Sequence, residues 1–174
     1  MKKKEFGYSL IEIALFSVMI GVVIANIYST KQSLVNFYYH KQFSLAACSY
    51  ANAFSRYINL GNNIPNNISI EQLKSKGVIS PFAESQIGYF TVSFQTIKKD
   101  GYQYGLMKLH SNKRISVADE ELLSSNIGIY SSVKESNSLK GLYYNIDFHG
   151  ISTPGDGYIY AIIPPHYSKY QECF

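Results

Sequence analysis

The feature that most constrains this chain is a long uncharged apolar run close to its N-terminus. The run lies within KKKEFGYSLIEIALFSVMIGVVIANIYSTKQ, and no charged residue occurs between Ile13 and Thr30. About 20 apolar residues are enough to cross the hydrocarbon core of a bilayer as a helix. The run therefore predicts a membrane helix, and the three lysines before it place its N-terminal side in the cytoplasm.

One acid, Glu12, lies near the N-terminal end of this apolar stretch. A carboxylate inside a bilayer is costly and normally has a partner, which a plain anchor does not provide. If a peptidase cuts between Gly7 and Tyr8, the new α-amino group lies four residues before Glu12 on the same helical face. In an assembly of copies, the amine of one subunit can then neutralise the carboxylate of another. We therefore predict a processing site at Gly7 and Tyr8, and an assembly role for Glu12.

The helical pattern continues beyond the apolar run, because residues 31–60 contain neither Pro nor Gly. Apolar residues recur there at steps of four and three: Phe43, Ala47, Tyr50, Phe54 and Tyr57. Gly61 and Pro65 then supply a stop signal. We predict one helix over residues 8–60, roughly 80 Å long. Its first part, 8–30, is the membrane half, and 31–60 is the amphipathic half. A short anchor followed by a separate helix is the alternative.

Residues 61–174 are predicted to form a globular αβ part. Ser69 and Gln72 make a capping box, and Gly77 ends a short helix. GYFTVSFQTI alternates apolar residues with period two, and KKDG turns the chain into YQYGLMKLH. This pattern indicates a hairpin with Gly101 at a positive φ.

Three later stretches, IGIYSSV, GLYYNIDF and GYIYAII, are predicted as further strands. DEELLSSN is predicted as a short helix, in which Asp119, Glu120 and Glu121 form a solvated helix start. The fold class that follows is α+β, with an antiparallel sheet packed against the amphipathic half of the long helix.

The leader MKKKEFG followed by GYSLIE resembles the cleavage motif of type IV prepilins and the related pseudopilins. In that motif a Gly precedes the cut and a Glu is the fifth residue after it; Tyr8 replaces the more usual Phe or Met. The resemblance implies a pilin fold, removal of residues 1–7 by a prepilin peptidase and N-methylation of Tyr8. It also implies an inner-membrane assembly platform and other pilin subunits as partners. The precursor is then expected in the bacterial inner membrane, and the mature chain in an extracellular pilus or a periplasmic pseudopilus.

Three downstream stretches, AACSYANAFSRYI, EQLKSKGVI and GISTPGDGYIYAII, are similar to the constant portion of shufflon-type minor pilins of type IVb systems. The similarity covers short stretches within residues 43–163. It implies a minor pilin; for the purpose of the filament, conjugation, adhesion and secretion stay open as alternatives. Longer members of that group carry a variable recognition tip, whereas this chain ends soon after its last predicted strand, so we do not carry the recognition role over.

The chain has two cysteines, Cys48 and Cys173. If the N-terminal segment exports the chain, they are candidates for one disulfide that joins the C-terminal end to the middle of the chain. Two separate thiols are the alternative, because the sequence does not give their distance.

Composition and motifs favour neither catalysis nor nucleic-acid binding. The net charge is +4, and loss of three lysines and one glutamate with residues 1–7 leaves +2. No basic run is interleaved with aromatic residues. No P-loop or G-x-S-x-G motif occurs, and Asp156 between two glycines predicts a turn rather than a calcium loop. The histidines lack metal-ligand spacing: His40, His110, His149 and His166. We expect no enzyme activity, no cofactor and no metal site.

The leading interpretation is therefore a structural subunit of a filament. Within that class, a major type IVb pilin and a pseudopilin of a type II secretion system are alternatives to a minor pilin. A single-span membrane-anchored binding protein is the alternative from another class.

Overall fold

The computed structural model describes residues 10–60, 64–135, 138–141, 145–147 and 155–165. The chain divides into two compact units, the first ending at Tyr39 and the second beginning at His40. The long helix α1 has the bounds Leu10–Asn59. The predicted continuation of the helix through the Pro- and Gly-free segment is thus confirmed.

In the second unit, α1 presents an apolar face to the protein core. Its buried apolar residues include Phe43, Ala47, Ala51, Phe54 and Ile58. Three of the five predicted stripe positions are fully buried, whereas Tyr50 and Tyr57 are half-buried at the edge of the core.

The Tyr50 hydroxyl donates a hydrogen bond of 2.7 Å to the Glu84 carbonyl oxygen. Burial raises the pKa of this phenol. Tyr50 therefore keeps its proton, and remains a donor, throughout the neutral pH range.

The remaining elements follow α1 in chain order. They are β1 (Asn67–Ile68), α2 (Ile70–Ser75), β2 (Gln86–Ile87), β3 (Phe90–Lys99), β4 (Tyr102–Ser111), α3 (Val117–Ser125), a 3-10 turn (Gly128–Tyr130), β5 (Ser132–Glu135), β6 (Ser138–Gly141), β7 (Asn145–Asp147) and β8 (Tyr158–Ile163). The predicted capping box of α2 is present: the Ser69 side chain accepts from Gln72 N, and the Gln72 side chain accepts from Ser69 N.

The first sheet is antiparallel and has the order β1-β3-β4-β8, with β2 also paired to β3. The predicted hairpin is confirmed, since β3 and β4 pair from Phe90 with Ser111 to Lys99 with Tyr102. Its two-residue turn has φ of 53° at Asp100 and 81° at Gly101. Positive φ at both central positions matches the twist of the flanking strands.

A second, smaller sheet has the order β5-β6-β7. The prediction of a strand over all of IGIYSSV is wrong in its first half, because Gly128 adopts a φ of 64° and begins the 3-10 turn. The prediction of one strand over GLYYNIDF is also wrong. Gly141 ends β6, and Asn145–Asp147 pairs back on β6 as β7.

The two sheets share a second cluster of buried residues, separate from the core beneath α1. It consists of Leu106, Leu139, Ile146, Tyr160 and Ile162. The described part of the second unit is therefore layered, with α1 on one face of the first sheet and the smaller sheet on the other. The α+β prediction is confirmed, and the architecture is pilin-like: a long N-terminal helix with an apolar start, and an antiparallel sheet packed against its later part.

Gly105 of β4 sets how closely α1 approaches the sheet. A Cβ atom at this position would lie 2.5 Å from Ile58 Cδ1 and 2.8 Å from Phe54 Cε1. We expect Gly105→Ala to lower the free energy of unfolding by about 1–3 kcal/mol through overpacking. Urea unfolding of the full chain in detergent, followed by near-ultraviolet circular dichroism, measures the change.

Ile58→Val removes the nearest of these atoms and is the partner variant for this test. In the Gly105→Ala background it should restore part of the lost stability, although alone it costs about 0.5–1.5 kcal/mol. A neutral effect of Gly105→Ala would contradict the close approach of helix and sheet.

Candidate functional site

The apolar segment of α1, residues 13–30, is uncharged and fully uncovered. Every residue in it is exposed, including Phe16 at 67% and Tyr28 at 72%. Among the described residues, α1 is the one helix that is long and apolar enough to cross a membrane. A membrane anchor and a secretion signal both have this character.

The polar side chains of the apolar segment include two that are satisfied within α1. Ser17 donates to the Ile13 carbonyl and Thr30 to the Asn26 carbonyl, each at 2.9 Å. Bonds to the preceding turn remove the need for water, so these hydroxyls are compatible with lipid or with a packed filament core.

The predicted processing and assembly residues lie at the start of this segment. The backbone of Glu12 belongs to α1, one residue before Ile13. Gly7 and Tyr8 lie outside the described residues. The pairing of a Tyr8 amine with a Glu12 carboxylate remains a prediction.

Cys48 lies on the buried part of α1 and is 3% exposed. It is disulfide-bonded. Asn52, one turn further along, directs Nδ2 at the Cys48 sulfur at 4.0 Å and accepts a 2.7 Å hydrogen bond from the Tyr130 hydroxyl. Cys173 lies outside the described residues, so its pairing with Cys48 remains a prediction.

The structure also contains a buried ionic cluster that joins three elements of the second unit. Lys134 of β5 forms ion pairs with Glu120 of α3 and, at 2.7 Å, with Asp156 before β8. Only 7% of the Lys134 side chain and 6% of the Glu120 side chain are exposed. Lys134 also lies over the Tyr160 ring, 5.3 Å from its centroid.

The prediction of a solvated acid at Glu120 is therefore wrong, whereas Asp119 and Glu121 are exposed as predicted. Glu120 lies one turn before the buried Leu123, on the face of α3 that packs inward. The spacing of Glu120 and Leu123 was the sequence signal for burial of Glu120. The prediction followed the charge of the side chain instead, which favours exposure.

The ionic cluster links α3, β5 and the turn before β8. Glu120 Oε1 pairs with Lys134, and Glu120 Oε2 accepts from Gly155 N at 2.8 Å. Asp156 Oδ1 accepts from Tyr158 N at 2.9 Å, which confirms the predicted turn role. Within the described ranges, no group of three or more His, Cys, Asp or Glu side chains is placed to hold a metal ion.

No protein-family model, curated protein or solved structure matches this chain.

Proposed function

We propose that this chain is a structural subunit of a type IV pilus, a minor pilin of the type IVb kind, incorporated through α1. The observation that carries the proposal is the contrast between the two units. The second unit buries an ordinary apolar core, whereas residues 13–30 expose every side chain and carry no charge. An apolar surface of this extent marks a membrane or protein contact.

Assembly would exchange lipid neighbours of the apolar segment for protein neighbours. Because lipid tails are as apolar as the side chains, this exchange gains little hydrophobic free energy. Specificity must come from packing and from the few polar groups. Glu12, paired with the amine of a processed neighbour, is the group that fits this requirement.

The proposed partners follow from the same argument. A prepilin peptidase removes residues 1–7, and an inner-membrane platform passes the chain to other pilin subunits. The minor-pilin assignment is based on the similarity of two stretches, AACSYANAFSRYI and GISTPGDGYIYAII, to the constant portion of shufflon-type minor pilins. We propose that the precursor lies in the bacterial inner membrane and that the mature chain lies in an extracellular pilus.

Mass spectrometry of the native N-terminus tests the processing step. We expect a mature chain that begins at N-methylated Tyr8. Gly7→Val should leave the leader in place, because the isopropyl group adds bulk beside the scissile bond, where the wild-type chain has no side chain. Lys3→Ala is the control and should be processed. A wild-type chain that retains Met1 would contradict the proposal.

A further inference from the structure

The ionic cluster holds one amine against two carboxyl groups in the interior of the second unit. Lys134 Nζ pairs with Glu120 Oε1 and lies 2.7 Å from Asp156 Oδ1. The Tyr160 ring lies 5.3 Å from the same nitrogen. The side chains of Lys134 and Glu120 are buried, and that of Asp156 is 21% exposed. An amine and a carboxyl group held in contact, largely away from water, are oriented reactants for amide formation.

The two carboxyl groups differ in how their oxygens are held. Both oxygens of Glu120 have partners: Oε1 pairs with Lys134, and Oε2 accepts from Gly155 N at 2.8 Å. Asp156 Oδ1 accepts from Tyr158 N at 2.9 Å as well as from Lys134. Asp156 Oδ2 is buried and has no hydrogen-bond partner among the described residues.

This difference assigns a separate role to each carboxyl group. If the amine attacks Asp156 Cγ, the N–H of Tyr158 stabilises the negative charge that develops on Oδ1. Oδ2 is then the oxygen that leaves, since Oδ1 is held by its two donors. Glu120 is held against the attacking nitrogen and is placed to move its protons.

A small pocket beside the cluster has room for the water that this reaction releases. Its volume is about 20 Å³, and it is lined by Val117, Tyr158 and Tyr160 in addition to Glu120 and Lys134. A cavity of this size holds about one water molecule. The pocket therefore accommodates the leaving oxygen next to the reacting nitrogen.

We propose that Lys134 and Asp156 form an intramolecular amide bond, with Glu120 as the catalytic acid and base. Glu120 takes a proton from the lysine ammonium, and the neutral amine attacks Asp156 Cγ. The C–N bond forms, the C–Oδ2 bond breaks, and Oδ2 leaves as water with two protons that Glu120 relays from the lysine nitrogen. One proton remains on the amide nitrogen, and Glu120 returns to its carboxylate form. No oxidant or further reactant is consumed.

The bond ties β5 to the turn before β8 and closes a loop of the chain that contains β6 and β7. These strands have only four and three residues. A covalent link across such a loop lowers the entropy of the unfolded chain and so stabilises the folded form. The ion pairs described above are the arrangement from which the bond forms. The inference concerns the second unit alone and does not depend on the proposed pilus function.

Mass spectrometry of the full chain, purified in detergent and then reduced and denatured, tests the bond. We expect a proteolytic fragment in which the peptides of Lys134 and Asp156 are joined, with a total mass lower by one water. Reductive methylation of the denatured chain should label Lys140 but not Lys134, because an amide nitrogen is not nucleophilic. Lys140 is the matched control, since it also pairs with a glutamate of β5, Glu135, but is 60% exposed.

Glu120→Gln tests the catalytic role, because glutamine has nearly the same size but does not accept the proton. General acid–base catalysis contributes about 10²–10⁴-fold, so the joined fragment should form about 100-fold more slowly or less readily still. Near-ultraviolet circular dichroism of the same sample checks that the variant is folded. Normal formation of the bond in folded Glu120→Gln would overturn the role of Glu120.

A wild-type chain with methylated Lys134 and no joined fragment would overturn the proposal. A fragment that joins Lys134 to Glu120 would overturn it too, because Glu120 would then be the acyl donor. The wild-type chain gives these answers even if Glu120→Gln unfolds. Since the measurement uses monomers, its failure leaves filament assembly untouched, and failure of assembly leaves the amide bond intact.

Discussion

Replacement of Glu12 by alanine is expected to leave the chain inserted in the membrane and to lower its incorporation into filaments by about 100-fold or more. In the proposed assembly, this carboxylate neutralises the Tyr8 amine of a neighbouring subunit. Removing one member of a buried charge pair costs about 3–5 kcal/mol, and 3 kcal/mol corresponds to about 100-fold in an equilibrium. The measurement compares the amount of chain in the sheared filament fraction with the amount in the membrane fraction.

Ser17→Ala is the matched control, because it also replaces a polar side chain by alanine at the start of the apolar segment. The Ser17 hydroxyl bonds only to its own helix in the described contacts, so this variant should assemble normally. A single-span anchor would tolerate or even prefer the loss of an acid from lipid. Normal assembly of Glu12→Ala would therefore refute the assembly role of Glu12. Absence of the wild-type chain from the filament fraction would refute the pilus proposal and favour the anchored binding protein.

The elements that the sequence predicts well are those whose signals lie within a few residues of each other. The cap of α2 depends on Ser69 and Gln72, and the β3–β4 turn on Asp100 and Gly101. Alternation along β3 and the Pro- and Gly-free run of α1 are local in the same sense. Each of these signals fixes backbone geometry without reference to the rest of the chain.

The smaller sheet was harder to predict, because its form depends on distant partners. Tyr130 is buried in the core, where its hydroxyl donates a hydrogen bond to Asn52, 78 residues earlier. The positive φ of Gly128 then ends any strand through IGIYSSV. Short strands of three and four residues give too few alternations to reveal their pairing.

The candidate site divides in the same way. The uncovered apolar segment could be predicted because composition alone defines it. The burial of Glu120 could not be predicted from its charge, because its partner Lys134 lies on a strand 14 residues later.

Replacement of Lys134 by alanine is expected to lower the free energy of unfolding by about 3–5 kcal/mol. The change leaves the carboxylate of Glu120 buried without its cation, and Asp156 loses its 2.7 Å ion pair. An uncompensated charge of this kind is strongly destabilising. The cation–π contact of Lys134 Nζ with the Tyr160 ring is lost as well. Since the chain has no tryptophan, urea unfolding in detergent is best followed by near-ultraviolet circular dichroism of the tyrosines.

Lys140→Ala is the control variant. It shows whether the destabilisation by Lys134→Ala comes from the buried position of the pair or from the loss of any lysine–glutamate pair. Lys140 pairs with Glu135 at 3.2 Å, with side chains 60% and 51% exposed. An exposed pair contributes about 0–1 kcal/mol, so this control should unfold close to wild type. Adding Glu120→Gln to a Lys134→Met variant should recover part of the loss, because it removes the stranded charge. Equal effects of Lys134→Ala and Lys140→Ala would mean that the ionic cluster does not hold α3, β5 and the start of β8 together.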